Sequence, residues 1–255
     1  MLHERFQPQS VVDLGCGGGQ WAAAFLALGT PDVIGIDGPW VPAEALVLPE
    51  DRFEVRDLSD PQPLARTFDL ALCLEVAEHL PHDVAPRLVH LLARAAPVVV
   101  FSAAIPGQGG DGHVNEQPAS YWADLFAAEG LACHTDLRSA VWNDRHVEVW
   151  YRQNLLCFAR PEGAAALGLV EARTAGDPLL DIAHPDLVLR HMHRAQQAEA
   201  YAARQSAEAA ALRERIGGLE SELKRARDAS LQGLARRAAR RLGFVPSAPP
   251  ASPAR

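Results

Sequence analysis

What this 255-residue chain lacks narrows its class before any motif is read. No apolar run reaches the ~18 residues of a membrane span. The start, Met1-Leu2-His3-Glu4-Arg5, has none of the charged-then-apolar layout of a secretory signal. Cysteine is scarce and scattered: Cys16, Cys73, Cys133 and Cys157 form no C-x-x-C pair, and three sit inside apolar runs. These read as reduced core thiols of a cytoplasmic protein, which excludes a disulfide frame and a cysteine zinc site. Basic residues are few in the front of the chain. Residues 1–181 hold 11 Lys/Arg against 25 Asp/Glu, whereas 182–255 hold 13 against 7, within a net charge of −8. So acidic a front argues against nucleic acid as its substrate.

At 48% hydrophobic residues, the chain has ample material for one packed domain and an appendage. The stretch from Val11 to Trp21 organises it: an apolar run, Val11-Val12-Asp13-Leu14, passes through Gly15-Cys16-Gly17-Gly18-Gly19 into an amphipathic segment beginning at Gln20. This reads as strand, tight turn and helix, with glycine backbone bare to a ligand and helix N–H groups aimed at it. A dinucleotide fingerprint needs a third glycine where Gln20 stands, which disfavours a nicotinamide-dependent oxidoreductase. Strand two, Asp32 to Asp37, ends on an acid placed either to accept hydrogen bonds from ribose hydroxyls or to begin the Asp-Gly turn with Gly38. Strand three, Phe53 to Leu58, carries a second acid, Asp57, which could instead cap Ser59-Asp60-Pro61.

Strand four, Phe68 to Glu75, is apolar enough to lie centrally in a parallel sheet, and it leads into Val76-Ala77-Glu78-His79-Leu80. Helix (86–95), strand five (98–102), helix (121–128), strand six (131–137) and a last strand (147–159) complete the alternation. This predicts an α/β fold, a doubly wound and mostly parallel seven-stranded sheet, followed by a C-terminal helical extension. D-L-G-C-G-G-G and F-D-L-A-L-C-L-E-V-A-E-H-L-P resemble the first and fourth motifs of class I S-adenosylmethionine-dependent methyltransferases, in order and at the expected distance. The resemblance implies a cofactor site made of Asp13, Gly15, Cys16, Gly17, Gly19, Trp21, Asp37, Gly38, Asp57, Leu58, Leu74 and Glu75, with S-adenosylhomocysteine as product. Asp57 would receive the adenine amino group, and the last strand would run antiparallel. Only about ten residues precede strand one, so the helix that often covers this cofactor is expected to be short or absent.

Two polar connections flank the expected methyl position. A long glycine-rich loop, 103–117, holds His113, Asn115 and Glu116; a second, 139–146, holds Asp144 and His146. Loops this long within a compact domain are usually functional. His113, His79 and His146 are the candidate bases, in that order, and Asn115, Glu116 and Asp144 the candidate acceptor ligands. A metal-assisted route through Asp111, Asn115 or Glu116 is open, but no spacing demands a metal. A-A-I-P-G-Q-G-G-x-G-H-V-N-E-Q and W-N-D-x-x-V-E-x-W-Y-R-Q-N are similar to a bacterial methyltransferase subgroup encoded among glycosyltransferase and polysaccharide-biosynthesis genes. That implies a sugar, glycolipid or other small-molecule acceptor carrying a hydroxyl or amine. The rival class is a non-catalytic scaffold that keeps the cofactor fold and works through its tail.

Residues 1–160 are thus expected to form the methyltransferase domain, 161–185 a linker and 186–230 a helix. Leu212, Ile216, Leu219 and Leu223 fall at spacings of four, three and four, a short heptad seam suited to a coiled coil and self-association, interrupted by Gly217-Gly218. His184, His191 and His193 are expected to face solvent. Residues 231–244 read as a basic amphipathic segment suited to an anionic membrane surface or an acidic partner, and 245–255 as a disordered tail.

Overall fold

A computed structural model describes residues 2–170 and 172–243. A short helix α1 (Leu2–Phe6) precedes β1 (Ser10–Leu14), α2 (Gln20–Ala27), β2 (Asp32–Asp37), β3 (Phe53–Val55) and β4 (Leu70–Leu74). Then come α3 (Ala85–Ala95), β5 (Val98–Ser102), α4 (Ala119–Ala128), β6 (Ala132–His134), α5 (Asp136–Val141), α6 (Val149–Asn154) and β7 (Leu156–Ala159). The seven strands form one sheet in the order β3-β2-β1-β4-β5-β7-β6, parallel except for β7, which runs antiparallel to both neighbours. Every residue of β4 and β5 is buried, as continuous apolar runs covered on both faces must be. On one face α3 and α4 bring Leu88, Leu92, Trp122 and Phe126 onto Phe101 and Phe158. The Phe126 and Phe158 rings stack with centroids 3.8 Å apart. On the other face Ala22 and Phe25 of α2 and Leu137 and Val141 of α5 cover Val11, Val33, Leu72 and Val100.

The strand order reverses between β1 and β4, so the connections leaving their carboxyl ends diverge to opposite sides. That crevice is where doubly wound sheets bind ligands. It holds the Gly15–Gly19 turn, the end of β2 and the 75–79 turn.

Several boundaries differ from expectation, each for a local reason. The expected strand over 147–159 is helix α6 followed by a four-residue strand. The Arg152 and Leu155 N–H groups donate to the carbonyls of Glu148 and Tyr151, four residues back, at 3.1 and 3.0 Å, and this helical turn places Arg152, Gln153 and Asn154, all buried, toward distant partners. Strand β3 stops at Val55, beyond which the Asp57 carboxylate accepts from the Ser59 N–H at 2.8 Å and turns the chain. Strand β6 stops at His134 because Asp136 opens α5.

The expected linker is instead a strap bound to the domain. It begins with helix α7 (Pro161–Ala166). Arg173 N–H then donates to the Cys133 carbonyl at 2.7 Å, and the buried Arg138 guanidinium donates to the carbonyls of Leu180 and Leu179 at 2.8 and 2.9 Å. His184 is buried rather than solvent-facing: its ring bonds the Trp142 carbonyl at 2.7 Å and its N–H donates to Gln153.

Helix α8 (Pro185–Arg241) runs 57 residues, past the expected end at 230 and without a break at Gly217-Gly218. The chain divides into two units between His191 and Met192. In the second unit Leu212, Ile216, Leu219 and Leu223 are each more than half exposed. The tail expected at 245–255 lies outside the described residues, as does Phe244. Among the described residues no helix is long and apolar enough to cross a membrane.

Candidate functional site

The glycines of the first turn have unequal jobs. At Gly15 (φ +77°) a Cβ would meet Val76 at 2.4 Å, and at Gly19 (φ +83°) it would meet Leu48 at 2.6 Å; these two let neighbouring chain close in. Gly17 (φ +54°) has nothing within 4 Å of its missing Cβ, so its face is the bare backbone open to a ligand. Cys16 is buried between them. Beneath the turn, Asp13 is 1% exposed and its Oδ2 has no hydrogen-bond partner. Burial pushes its carboxyl up to about 7 against the Ala22 N–H in the first turn of α2, with the Asp37 charge adding to the rise. A buried acid with an unpaired oxygen below an open glycine turn fits a ligand that brings positive charge.

Asp37 accepts from Gly17 N at 2.7 Å, Gly38 N at 2.6 Å and the Trp40 indole N–H at 3.0 Å. Three of a carboxylate's roughly four lone-pair positions are therefore used, and a ribose diol needs the one held by the exposed Trp40. Gly38 is glycine because the Trp40 ring lies over it, 2.1 Å from where a Cβ would be. A cavity of about 290 Å³ beyond β3 is lined by Leu14, Asp57, Leu58 and Leu64 among others, with Leu58 buried and Asp57 exposed. Backbone and side-chain hydrogen bonds from Ser59 hold the Asp57 carboxyl below its ordinary range. Trp21 is partly exposed and donates its indole N–H to the Tyr151 hydroxyl at 3.4 Å.

From the buried Leu74 the chain enters a turn strained at Glu75, whose φ is +56°. Asn154 of α6 holds the Glu75 carboxylate at 3.1 and 3.4 Å, and the Ser102 hydroxyl accepts from the Glu75 N–H at 3.1 Å. Glu78, fully buried, accepts from Ala104 N at 3.2 Å through Oε1, while its Oε2 has no partner. Burial first, and the neighbouring Glu75 charge second, raise the Glu78 carboxyl to about 8; burial also raises that of Glu75.

The same turn anchors the long loop. Val114 N and Asn115 N both donate to the Glu78 carbonyl, at 2.8 and 3.0 Å. Asn115 is itself buried, donating to the Ala77 carbonyl at 3.4 Å and accepting from Gln117 at 2.9 Å. It staples the loop to the turn. Glu116 accepts from Gly107 N, Gly109 N and His113 Nδ1 at 2.7, 2.7 and 2.8 Å. Burial raises its carboxyl, but these bonds outweigh burial and hold it below its ordinary range. The His113 ring, fixed by Glu116, lies where a Cβ on Gly110 would be, 2.3 Å from Nε2, and meets the His79 ring edge-on at 4.8 Å between centroids. Burial and the facing His113 lower the affinity of His79 for a proton.

His113, His79, Asn115 and Glu116 are thus brought together, and Gly15 packing on Val76 ties that group to the glycine turn. His146 and Asp144 are not among them: the His146 side chain is 98% exposed and its Nδ1 bonds Asp144 at 3.1 Å. Two further participants lie within the two loop patterns but were not among the residues expected at the site. Gln108 bridges Asn154 and Glu75 at 3.0 and 3.5 Å, and Asn154 lies in what reads as strand. Glu78, His79 and His113 offer one ligand atom each, all within 4.8 Å of one another, and are the described residues able to hold a metal ion.

A doubly wound sheet with an open glycine turn, an acid ending β2 and an acid–histidine rim beyond β4 and β5 defines a nucleotide-cofactor-binding α/β domain. Within that class, residues 1–139 match the family model described as a methyltransferase domain, and the chain belongs to that family, whose class I members use S-adenosylmethionine. Two ubiquinone biosynthesis O-methyltransferases of Neisseria meningitidis are similar to it. The serogroup C protein (strain 053442) is 29% identical over 140 residues, covering 51% of this chain and 54% of its own. The serogroup A protein (serotype 4A, strain DSM 15465 / Z2491) is 30% identical over 132 residues, covering 48% and 50%. The chain therefore spans about half the length of these curated relatives. Among solved structures, the sugar N-methyltransferase KedS8 from Streptoalloteichus sp ATCC 53650 superimposes with a TM-score of 0.48 at 20% identity, covering 62% of this chain and 83% of that one.

Proposed function

We propose that this protein transfers the methyl group of S-adenosylmethionine to an oxygen, or alternatively a nitrogen, of a small acceptor, with a sugar or glycolipid hydroxyl as the first class to test. The observation that carries the reading is the 75–79 turn. On one side it packs Val76 into the space left by Gly15; on the other it holds the loop that carries His113 and Glu116. A methyl donor on the glycine turn and an acceptor at the histidines would then face each other across this turn. The O-methyltransferase names of the Neisseria relatives support oxygen over nitrogen.

Methyl transfer from a sulfonium is an in-line displacement, so the protein must mainly align the acceptor about 3 Å from the methyl carbon and exclude water. On this reading Asp37 binds the ribose hydroxyls, Asp13 meets the positive charge of the cofactor's amino-acid end, and Asp57 and Leu58 border the adenine. His113, oriented through Nδ1 by Glu116, activates the acceptor oxygen, with His79 beside it. The exposed leucines of α8 favour a tail that joins copies of the chain, and its arginines suit an acidic or membrane-surface partner.

Calorimetric titration with S-adenosylhomocysteine tests the cofactor half. Micromolar binding that Asp37→Ala abolishes is expected. Absence of binding to the folded protein would move the function to the tail and leave the scaffold reading in place. Transfer of labelled methyl groups to sugar, lipid-linked and phenolic acceptors then tests the chemistry.

A further inference from the structure

We propose that the groove between α3 and the segment joining β3 to β4 is a binding site for a nucleoside phosphate, separate from the glycine turn and from the histidine rim. In a doubly wound sheet the connection between two parallel strands is ordinarily a helix that covers the sheet. Residues 56–69, all of them described, contain no helix. Asp57 turns the chain at Ser59, and Pro61 and Pro63 hold the residues before them out of helical conformation.

This segment runs along α3 and is tied to it at both ends. At one end Arg87 donates to the Asp60 carboxylate at 2.9 Å and to the Ser59 carbonyl at 3.3 Å. At the other the Phe68 N–H donates to the Ala95 carbonyl at 2.8 Å. Between these ties the walls part around a cavity of about 900 Å³, within the ~300–1,000 Å³ usual for small-molecule sites. The buried Leu91, the half-buried Leu64 and the rings of Pro61, Pro63 and Pro86 make its body apolar.

Charge gives the occupant its sign. Residues 1–181 hold 11 basic residues, all arginine, against 25 acids, yet Arg66, Arg87 and Arg94 line this one cavity. On α3, Leu91 and Arg94 follow Arg87 at spacings of four and three, so the two arginines share a face and leave it about 10 Å apart. Arg66 stands on the opposite wall, its guanidinium 4.0 Å from the Phe68 ring centroid; it pairs with Asp32, which also serves Arg52. Arg94 has no hydrogen bond or ion pair among the described residues. Asp32 and Asp60 lie outside the lining, so the cavity itself carries surplus positive charge.

A guanidinium fork meets a phosphate through two hydrogen bonds, and its flat face stacks on an aromatic ring. Three of them around an apolar space suit a ligand that joins phosphate to a planar, uncharged base. The acidic surface around the groove repels a long polyanion, which excludes nucleic acid. The ties at either end limit the bound body to about the distance between Arg87 and Arg94, the length of a nucleoside and too short for a lipid chain. Leu64 and Leu91 also line the cavity of about 290 Å³ beyond β3, so the two cavities share walls and a test must tell them apart.

The full-length chain should be titrated calorimetrically with uridine 5′-diphosphate and guanosine 5′-diphosphate, each alone and with excess S-adenosylhomocysteine. One equivalent of at least one nucleotide should bind with micromolar affinity in both conditions. Titration of the nucleotide alone keeps the result independent of the cofactor reading. Arg94→Ala removes an exposed, unpaired side chain and should weaken binding at least ~10-fold, as loss of a hydrogen bond to a charged group does. Ala65→Trp, at an exposed lining position, fills the cavity and should abolish binding, with both variants melting like the wild type. Four results would each overturn the site: neither nucleotide binds, inorganic pyrophosphate binds as tightly as the nucleotides, S-adenosylhomocysteine displaces them, or Arg94→Ala binds like the wild type.

Discussion

Two histidine–acid pairs stand in the two connections at the rim, alike in composition and unlike in surroundings. In the 103–117 loop, His113 and Glu116 are 13% and 18% exposed, and two glycine N–H groups complete the hydrogen bonding of Glu116. In the later connection, the His146 side chain is 98% exposed and Asp144 is 48% exposed. An exposed pair is screened by water and worth little, whereas a desolvated, multiply bonded pair holds one geometry. On the proposed reading, the first pair is therefore the one placed to act on an acceptor. The sharpest way to break this contrast is His113→Ala, which should lower methyl-transfer turnover at least ~100-fold, about 2.7 kcal/mol of barrier, with S-adenosylhomocysteine affinity unchanged. Turnover within a few-fold of wild type would erase the distinction between the pairs.

The same contrast extends to carboxyl groups and to stability. Asp13 is buried and its carboxyl is raised to about 7 from an ordinary 3.8, while the exposed Asp144 is held low by its bonds to His146. Between about pH 4 and 7 the folded chain keeps a proton on Asp13 that the unfolded chain has lost. Stability must therefore fall as pH rises through this window, and level off above it. Asp13→Asn removes this contribution. The expected result is a flatter stability profile between pH 4 and 8, with a change on the order of 2 kcal/mol in denaturant unfolding at the upper end. A profile with the wild-type slope would place the titration elsewhere.

A smaller effect isolates geometry from chemistry. Gly110→Ala puts a methyl 2.3 Å from His113 Nε2 and 2.5 Å from Cε1, so the ring must move while every ionisable group is retained. Turnover should fall on the order of 10-fold, as small misplacements of reacting groups do, with the melting temperature little changed. Wild-type turnover would mean that the ring's position is not what distinguishes the buried pair.

How much of this was legible in sequence depends on whether the signal was local. The glycine turn, the acids ending β2 and β4 and the alternation of apolar runs with helices are local patterns, and the parallel sheet followed from them. The 147–159 segment misled because Val147, Val149 and Tyr151 alternate with other residues as a strand would. What decides it is the burial of Arg152, Gln153 and Asn154, and their partners are distant: Asp186, Ile182 and Glu75. The strap was hidden for the same reason, since its anchors are backbone carbonyls, which carry no residue identity. Glu78 could have been suspected from the spacing Glu75-x-x-Glu78-His79, but its meeting with His113 depends on backbone bonds from Val114 and Asn115 to its own carbonyl.

The smallest effect tests the other member of the comparison. In sequence His146 beside Asp144 is the third candidate base after His113 and His79, and its placement sets it further apart. Asp144 also accepts the His146 backbone N–H at 2.9 Å, so the pair closes a local turn and spends its hydrogen bonding on itself. An imidazole this exposed has no packing around it to hold it against an acceptor. His146→Ala should leave turnover within about twofold of wild type and stability within the ~0.5 kcal/mol usual for surface substitutions. A tenfold loss of turnover would mean that the 142–148 connection closes over bound acceptor, bringing an exposed pair into the site. The contrast between the two rim loops would then describe the ligand-free enzyme only.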